Sequence, residues 1–300
     1  MTFNLFKRLE APKGKIRVVI DTDTYNEVDD QFAVVYALQS QDKLNVEAIY
    51  AAPFFNERSQ GPADGMEKSF NEINKILALM NISRENFVFR GSTGYLEDLA
   101  HPYRSEAAMD LIEKAMASSD DDPLYVVAIG AITNVVSAIL IQPEIVHKIV
   151  VVWLGGHALY WPDTKEFNLY QDLLASRFLY DCGVPLINIP CMGVCSHLLT
   201  TLSELEAHID RTSKVGQFLL ETFKGYHEDH YAYSKVIWDI STIAYLINPT
   251  WVETKVVHSP ILTDQFTWSF DLSRHPIRMA TFLNRDGIYK DMFKKLCGER

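Results

Sequence analysis

Residues 16–33 combine a buried strand, a dense acidic segment and the start of a helix, and they constrain the fold more than any other stretch. The stretch opens with an apolar, β-branched run from Ile16 to Ile20, which is typical of a strand buried on both faces. Residues 31–38, which are apolar except for Gln31, predict a buried helix. Between strand and helix, one turn holds five acidic residues: Asp21, Asp23, Glu27, Asp29 and Asp30.

Acids packed this closely repel one another, and each charge raises the pKa of its neighbours. The N-terminus of the following helix offers about half a positive charge, worth roughly 0.3–1 kcal/mol per carboxylate, which is enough for one or two acids. No Lys or Arg lies between Arg17 and Lys43. A hard divalent cation with oxygen ligands, Ca²⁺ or Mg²⁺, is therefore the expected counter-charge. The alternative is a solvated acidic loop with ordinary helix caps.

Composition narrows the class of protein. The chain has 300 residues, of which 48% are hydrophobic, enough for one large α/β domain or two small ones. The net charge of −11 argues against nucleic acid and anionic membranes as partners. The apolar runs are only strand-sized, and the first residues lack the apolar segment of a secretory signal. With four cysteines and no export signal, the expected location is the cytoplasm.

Strand and helix patterns alternate along the chain with short connections, and no repeat or linker interrupts them. Further strands are predicted at 45–52, 86–89, 124–129, 148–153 and 185–189. The region from Ser203 through Tyr233 is predicted to be mostly helical, and the tail carries two β-like runs, 252–257 and 277–282. The chain is therefore predicted to be a single α/β domain over residues 1–300, Rossmann-like, with a mostly parallel central sheet and helices on both faces.

Polar or glycine residues follow several of these strands. In a parallel sheet the carboxyl ends of the strands meet at one edge, where α/β proteins bind their ligands. The residues expected to converge there are Asp21, Asp23, Asn56, Thr133, Asn134, Gly155 and Gly156.

This ordered set resembles the nucleoside hydrolase family, the inosine–uridine-preferring and related N-ribohydrolases, from Arg17 to about Pro249. The matching motifs are Asp21-Thr22-Asp23 with Asp29-Asp30, Asn56, the turn from Gly130 to Asn134, Gly155-Gly156, Glu166-Phe167-Asn168 with Asp172, and Asp239. The resemblance implies Ca²⁺-dependent hydrolysis of the N-glycosidic bond of ribonucleosides to free base and ribose, in purine or pyrimidine salvage. It also implies a homodimer or homotetramer, with a small nucleoside as substrate.

The resemblance assigns roles to individual residues. Ca²⁺ would be held by Asp23, Asp30, Asp239 and the backbone carbonyl of Thr133. Asp23 would also be the general base that activates a metal-bound water. The ribose would be contacted by Asp29, Asn56, Leu154, Glu166 and Asn168. Two simpler interpretations stay open: Asp239 could only cap the helix that follows it, and Glu166 could be a surface acid.

Two positions depart from the family pattern. The connection from Asp23 to Asp29 is two residues longer than is usual in the family. The His that commonly precedes the late Asp, and that protonates the leaving base in many members, is Trp238 here. The residues expected on the base side are therefore Trp238 itself, as a stacking platform, and the aromatic and histidine side chains of a possible lid: Tyr226, His227, His230 and Tyr233. The alternatives are core packing for Trp238 and an exposed polar helix for the 226–233 segment.

Two rival functions also fit parts of the sequence. A haloacid-dehalogenase-type phosphotransferase also opens with an apolar strand and Asp-x-Asp, with the first Asp as nucleophile. The Asp29-Asp30 pair and Glu166-Phe167-Asn168 have no place in it. The second rival is a catalytically weak or inactive homologue that binds ribose or nucleosides.

Overall fold

An eight-stranded sheet forms the centre of the protein in the computed structural model, which describes residues 4–297. The large sheet has the spatial order β3-β2-β1-β4-β5-β6-β12-β9, while β7 with β8 and β10 with β11 form two short antiparallel pairs. Neighbours in the large sheet are parallel except β12 and β9. In chain order the strands are β1 (Ile16–Thr22), β2 (Leu44–Ala51), β3 (Val88–Arg90), β4 (Leu124–Ala128), β5 (Ile149–Leu154), β6 (Leu186–Ile189), β7 (Leu199–Thr200), β8 (Lys235–Val236), β9 (Val252–His258), β10 (Ile261–Leu262), β11 (Trp268–Ser269) and β12 (Pro276–Leu283).

Helices cover both faces of this sheet. Side chains alternate along each strand, so that Val18 and Ile20 pack into one core while Val19 packs into the other. The first core is completed mainly by α2, α3, α9, α10 and α11, and the second by α4, α5 and α7. The helices are α1 (Leu5–Arg8), α2 (Asp29–Gln39), α3 (Pro62–Leu79), α4 (Glu106–Met116), α5 (Thr133–Ile141), α6 (Phe167–Gln171), α7 (Leu173–Asp181), α8 (Leu202–His208), α9 (Lys214–Tyr226), α10 (Ile240–Ile247) and α11 (Arg285–Leu296), with short 3₁₀ turns at Pro143–His147, Cys195–His197 and Pro249–Trp251.

The predicted fold class is confirmed, and the strands predicted from the sequence are present with ends that differ by one or two residues. The prediction is wrong for residues 227–233, because α9 ends at Tyr226 and the next residues form no regular structure. Local bonds compete with a helix here: the N–H of Asp229 donates to His227 Nδ1, and the N–H of Tyr231 donates to Asp229 Oδ1. The alternative of an exposed polar helix is therefore also wrong.

Four adjacent strands end at the edge where the site lies. β2, β1, β4 and β5 are neighbours and run in the same direction, so the residues after them converge. Gly130, directly beyond β4, permits a close approach: a Cβ there would lie 3.2 Å from Asp23 Cγ and 3.1 Å from Ala52 Cβ. The expected convergence of the strand ends is thus present.

Within residues 4–297, no helix is both long and apolar enough to cross a bilayer.

Gly65 generates a stability prediction, because α3 packs so closely on the segment after β2 that a methyl at Gly65 would collide with the carbonyl oxygen of Phe54. Gly65→Ala should lower the free energy of unfolding by about 1–3 kcal/mol through overpacking. The matched control is Gly225→Ala near the end of α9, where a Cβ meets no atom within 4 Å. That change should be neutral or should stabilise by about 0.5 kcal/mol, since alanine favours a helix. Equal midpoints in urea unfolding for both variants would contradict the packing argument.

Candidate functional site

The carboxyl end of β1 is tied to the neighbouring strands through a buried asparagine. Asp21 accepts a hydrogen bond from Asn134 Nδ2 at 2.8 Å, and the same nitrogen donates to the carbonyl of Ala51 at 3.2 Å. Asn134 Oδ1 accepts from the backbone N–H and the hydroxyl of Ser92, at 2.7 and 2.8 Å. Asn134 therefore links β1 to the end of β2 and to the loop after β3.

Asp29, Asp30 and Asp239 form a group of buried carboxylates at the same edge. Each contributes an oxygen, and these oxygens lie within 4.8 Å of one another. Asp29 and Asp30 occupy the first turn of α2, and Asp239 directly precedes α10, which packs against α2. The Asp239 side chain makes no capping hydrogen bond to α10, so the interpretation of this residue as only a helix cap is wrong.

Asp23 lies beside this group with a carboxylate that has no hydrogen-bond partner among the described residues. Both of its oxygens are buried. Burial raises the pKa of Asp23 well above its ordinary value, and the charges of Asp30 and Asp29 raise it further. A buried carboxylate is costly as an anion unless a cation or hydrogen-bond donors compensate it. We call Asp23, Asp29, Asp30 and Asp239 the acid cluster.

The pKa values of the other members of the acid cluster are also raised. Burial raises the pKa of Asp30 to about 7, although Thr22 Oγ1 donates to Asp30 Oδ1 at 2.5 Å and opposes the shift. Burial, followed by the charges of Asp29 and Asp30, raises the pKa of Asp239 well above its usual range. Burial is also the main reason that the pKa of Asp29 is raised, and the charge of Glu27 raises this pKa further. The cluster holds more negative charge than its own surroundings stabilise.

Lys235 supplies part of the missing positive charge. Its Nζ lies 2.8 Å from Glu27 Oε1, and its charge lowers the pKa of Asp29. The acidic segment itself has no Lys or Arg between Arg17 and Lys43. Lys235 comes from β8, far along the chain. No local signal marks it; only the fold brings it to the turn.

The long turn after Asp23 is held by several hydrogen bonds. Asn56 Nδ2 donates to Asn26 Oδ1 at 2.6 Å, and Tyr226 Oη donates to Glu27 Oε1 at 2.7 Å. Asn56 Oδ1 accepts from the N–H of Arg58 at 2.9 Å. Asn56, predicted as a ribose contact, therefore also fixes the turn, and the two extra residues are part of an ordered wall.

The opposite wall comes from the segment after β5. Glu166 is buried and accepts hydrogen bonds from the N–H groups of Gly156 and Asn168 at 2.9 Å and of Leu169 at 3.1 Å. It thereby caps α6, and burial raises its pKa to about 7. Asn168 Nδ2 donates to the carbonyl of Leu154 at 3.0 Å. Glu166 is thus not a surface acid, and its position is fixed by backbone donors.

A cavity of about 510 Å³ separates these two walls. It is lined by most of the residues that the sequence singled out: Asp29, Asp30, Asn56, Leu154, Glu166, Asn168, Tyr226, Trp238 and Asp239. The predicted metal ligands Asp23 and Thr133 are not among the lining residues, and the Thr133 hydroxyl donates to Asp172 Oδ2 at 2.7 Å. The predicted metal ligands Asp30 and Asp239 therefore meet at the cavity, together with Asp29, which was predicted as a ribose contact.

The predicted base-side residues divide into two groups. Trp238 and Tyr226 line the cavity, and the backbone N–H of Trp238 donates to Asp29 Oδ2 at 3.0 Å. His227, His230 and Tyr233 do not line it. The ring of His227 stacks on Tyr233 with centroids 4.1 Å apart, and His230 Nε2 lies 2.9 Å from the carbonyl of Lys224. The structure therefore places the two predicted histidines in a cluster of their own beside the cavity lining.

The cavity also contains residues that the sequence did not indicate. His157 follows the Gly155-Gly156 pair at the end of β5, and its Nδ1 accepts from the N–H of Met192 at 3.3 Å. Desolvation lowers the pKa of His157, so the neutral ring is favoured. Its place directly beyond a strand end was the signal that could have identified it. Lys165 and Tyr170 also line this wall.

Comparisons with known proteins identify the family to which the chain belongs. The chain matches the family model described as "Inosine-uridine preferring nucleoside hydrolase" over residues 18–287. The pyrimidine-specific ribonucleoside hydrolase RihA of Escherichia coli is 25% identical over 267 residues, covering 77% of this chain and 79% of that protein. The putative pyrimidine-specific ribonucleoside hydrolase RihB of Shigella boydii is 27% identical over 180 residues, covering 56% and 73%.

Solved structures show the same fold. A purine-preferring ribonucleoside hydrolase from Gardnerella vaginalis superposes with a TM-score of 0.76 at 20% identity, covering 94% of this chain and 98% of that one. A plant nucleoside hydrolase gives a TM-score of 0.74 at 18% identity, covering 94% and 99%. The match of the family model over nearly the whole chain, together with the acid cluster at the expected sheet edge, shows that this protein belongs to the inosine–uridine-preferring nucleoside hydrolase family and is an N-glycosidase.

Proposed function

We propose that this protein hydrolyses the N-glycosidic bond of ribonucleosides to free base and ribose, with Ca²⁺ at the acid cluster and Asp23 as general base. The observation that carries the proposal is the buried, unpartnered carboxylate of Asp23 beside three converging aspartates that line a cavity. The haloacid-dehalogenase alternative is excluded by the family match. The cytoplasmic location and the homodimeric or homotetrameric state remain predictions from the sequence.

The residues present fit a hard divalent cation. Asp30 and Asp239 would hold it together with Asp23 and the carbonyl of Thr133, and Asp29 offers another oxygen close by. Carboxylates and carbonyls are the donors that Ca²⁺ prefers. Bound there, Ca²⁺ would supply the positive charge that the buried carboxylates lack and would lower the pKa of the attacking water.

Asp23 is suited to take a proton from the attacking water. Its oxygens accept no hydrogen bond within the described part of the chain, so the carboxylate is available to a new donor. Burial and the charges of Asp30 and Asp29 raise its pKa above the ordinary value, and a cation bound at the cluster would oppose that shift and keep the carboxylate ionised, as a proton acceptor must be. The departing sugar has oxocarbenium character, and the buried carboxylates would stabilise that positive charge.

The remaining polar residues of the cavity would orient the ribose. Asp29, Asn56 and Asn168 would bond its hydroxyls, Glu166 would receive the 5′-hydroxyl, and Leu154 would pack against the ring. Asn56, Glu166 and Asn168 each already bond to backbone or neighbouring side chains, so their orientation does not depend on the substrate. Prior orientation of this kind lowers the entropic cost of reaching the transition state.

The base would lie against Trp238 and Tyr226. An indole N–H does not act as a proton donor at neutral pH, so Trp238 can hold a base by stacking but cannot protonate it. His157 is a histidine that lines the cavity, and it would protonate the leaving group from its charged form, which desolvation disfavours in the absence of substrate. The relatives include pyrimidine-specific and purine-preferring enzymes, so the preferred base is decided by this wall and not by the family.

Metal removal tests the cofactor. After exhaustive chelation, release of reducing sugar from inosine and uridine should fall to background and should return with added Ca²⁺. The melting temperature should also fall on chelation, because the buried carboxylates lose their counter-charge. Unchanged activity in protein that elemental analysis shows to be free of divalent metal would contradict the cofactor. Tight ribose binding without any sugar release would instead support the inactive homologue.

Asp23→Asn tests the general base. With saturating Ca²⁺, kcat should fall by about 10²–10⁴-fold while ribose binding persists, since the amide cannot accept the proton. A matched control is Asp121→Asn, an exposed acid in the turn that leads into the opposite end of β4; it should behave as wild type. Activity of Asp23→Asn within a fewfold of the control would refute the assignment.

A substrate panel tests the base side. Trp238→Ala should reduce hydrolysis of inosine more than that of uridine, because a purine offers more stacking area, worth roughly 1–3 kcal/mol per base.

If His157 protonates the leaving group, His157→Ala should impair both nucleosides but spare p-nitrophenyl riboside, whose leaving group needs no proton. His227→Ala and His230→Ala are controls outside the cavity lining and should match wild type. If His227→Ala or His230→Ala shows the loss expected of His157→Ala, the donor lies on the 226–233 segment instead.

A further inference from the structure

A buried lysine stands next to the acid cluster. The side chain of Lys235 is only 11% exposed, and its Nζ lies 2.8 Å from Glu27 Oε1 and 3.2 Å from the carbonyl oxygen of Val236. The same ammonium lies 5.3 Å from the ring centroid of Tyr226. A buried lysine with these partners is held in one place and stays charged, because Asp29 and Glu27 raise its pKa against the effect of burial.

Glu27 connects this lysine to the acid cluster. It sits in the long turn after Asp23, lines the cavity and also accepts from Tyr226 Oη at 2.7 Å. It lies two residues before Asp29 and lines the same cavity as Asp29, Asp30 and Asp239, and Lys235 contacts it directly with the opposite charge. The two side chains therefore exert opposing fields on the same group of carboxylates.

We propose that Lys235 and Glu27 form a charge-balancing pair that sets the affinity of the acid cluster for its divalent cation, Lys235 weakening and Glu27 strengthening it. The inference rests on the proposed function in taking the acid cluster as the cation site. The pair as a whole is neutral, so it holds the turn in place without adding net charge. Each member alone changes the local charge by one unit, which at this range alters the binding of a divalent cation by about tenfold or more.

Ca²⁺ titration of chelator-stripped protein by calorimetry tests the pair. Lys235→Met keeps the aliphatic stem but removes the charge, and should bind Ca²⁺ about tenfold more tightly. Glu27→Gln should bind about tenfold more weakly. The double variant restores local neutrality and should return to within about threefold of wild type, and Lys235→Arg should stay near wild type. A purely structural role predicts something different: both single variants weaken binding and the double variant is no better than the worse one. That result would overturn the proposal.

The chain contains a matched control. Lys295 is 15% exposed, its Nζ lies 2.9 Å from Asp291 Oδ2 and 5.2 Å from the ring centroid of Tyr36, and Tyr36 Oη donates to the same carboxylate at 2.5 Å. This lysine–acid–tyrosine arrangement repeats that of Lys235, Glu27 and Tyr226, but it does not line the cavity. Lys295→Met should therefore leave Ca²⁺ affinity unchanged. A tightening in Lys295→Met equal to that in Lys235→Met would contradict a local effect.

Thermal unfolding in chelator separates this inference from the proposed function. In the absence of metal, the melting temperature of Lys235→Met should fall further than that of Lys295→Met, because the acid cluster has lost a neighbouring positive charge. Adding Glu27→Gln to Lys235→Met should restore part of the lost melting temperature. If wild type binds no divalent cation, the metal in the proposed function is wrong, and equal melting losses for the two lysine variants would then also refute the pair. If Ca²⁺ binding shifts as expected but no nucleoside is cleaved, the pair stands and the proposed reaction fails.

Discussion

The structure depends on the burial of several carboxylates at one edge of the sheet. Asp23, Asp29, Asp30 and Asp239 are all nearly inaccessible, and burial is the largest influence on the pKa of each. Like charges in a poorly solvated site oppose folding, and they persist only where the surrounding structure, a cation or a function compensates them. The hydrogen bonds and charges around these four carboxylates help to keep them buried in the folded chain.

Part of the compensation is structural. Thr22 donates to Asp30, Asn134 donates to Asp21, and the backbone N–H of Trp238 donates to Asp29. Each bond favours the charged form of its carboxylate and fixes its direction. Asp23 differs from these three acids, since neither of its buried oxygens has a donor among the described residues. Both carboxylate oxygens of Asp23 are therefore left to be satisfied by something other than these residues, and this is the observation on which its proposed role rests.

The two walls of the cavity are held by different kinds of hydrogen bond. The carboxylate of Glu166 is bonded to backbone N–H groups, two at the start of α6 and one at Gly156, and these main-chain donors do not depend on neighbouring side chains. The wall formed by Trp238, Tyr226 and the turn at Glu27 rests on side chains, which substitutions can alter without changing the sheet.

Much of the fold and part of the site were determined by the sequence itself. The periodicity of strands and helices is a local property, as is the run of acids after β1, so the parallel sheet, its functional edge and the need for a counter-charge could all be predicted. Contacts between distant segments were decided only by the tertiary structure. Lys235 reaches Glu27 across about two hundred residues, His157 enters the cavity through the position of β5, and residues 227–233 leave the helix because local polar bonds replace it. The reason is physical: hydrophobic spacing specifies which face of an element is buried, but the pairing of charges across the site depends on where those elements come to pack.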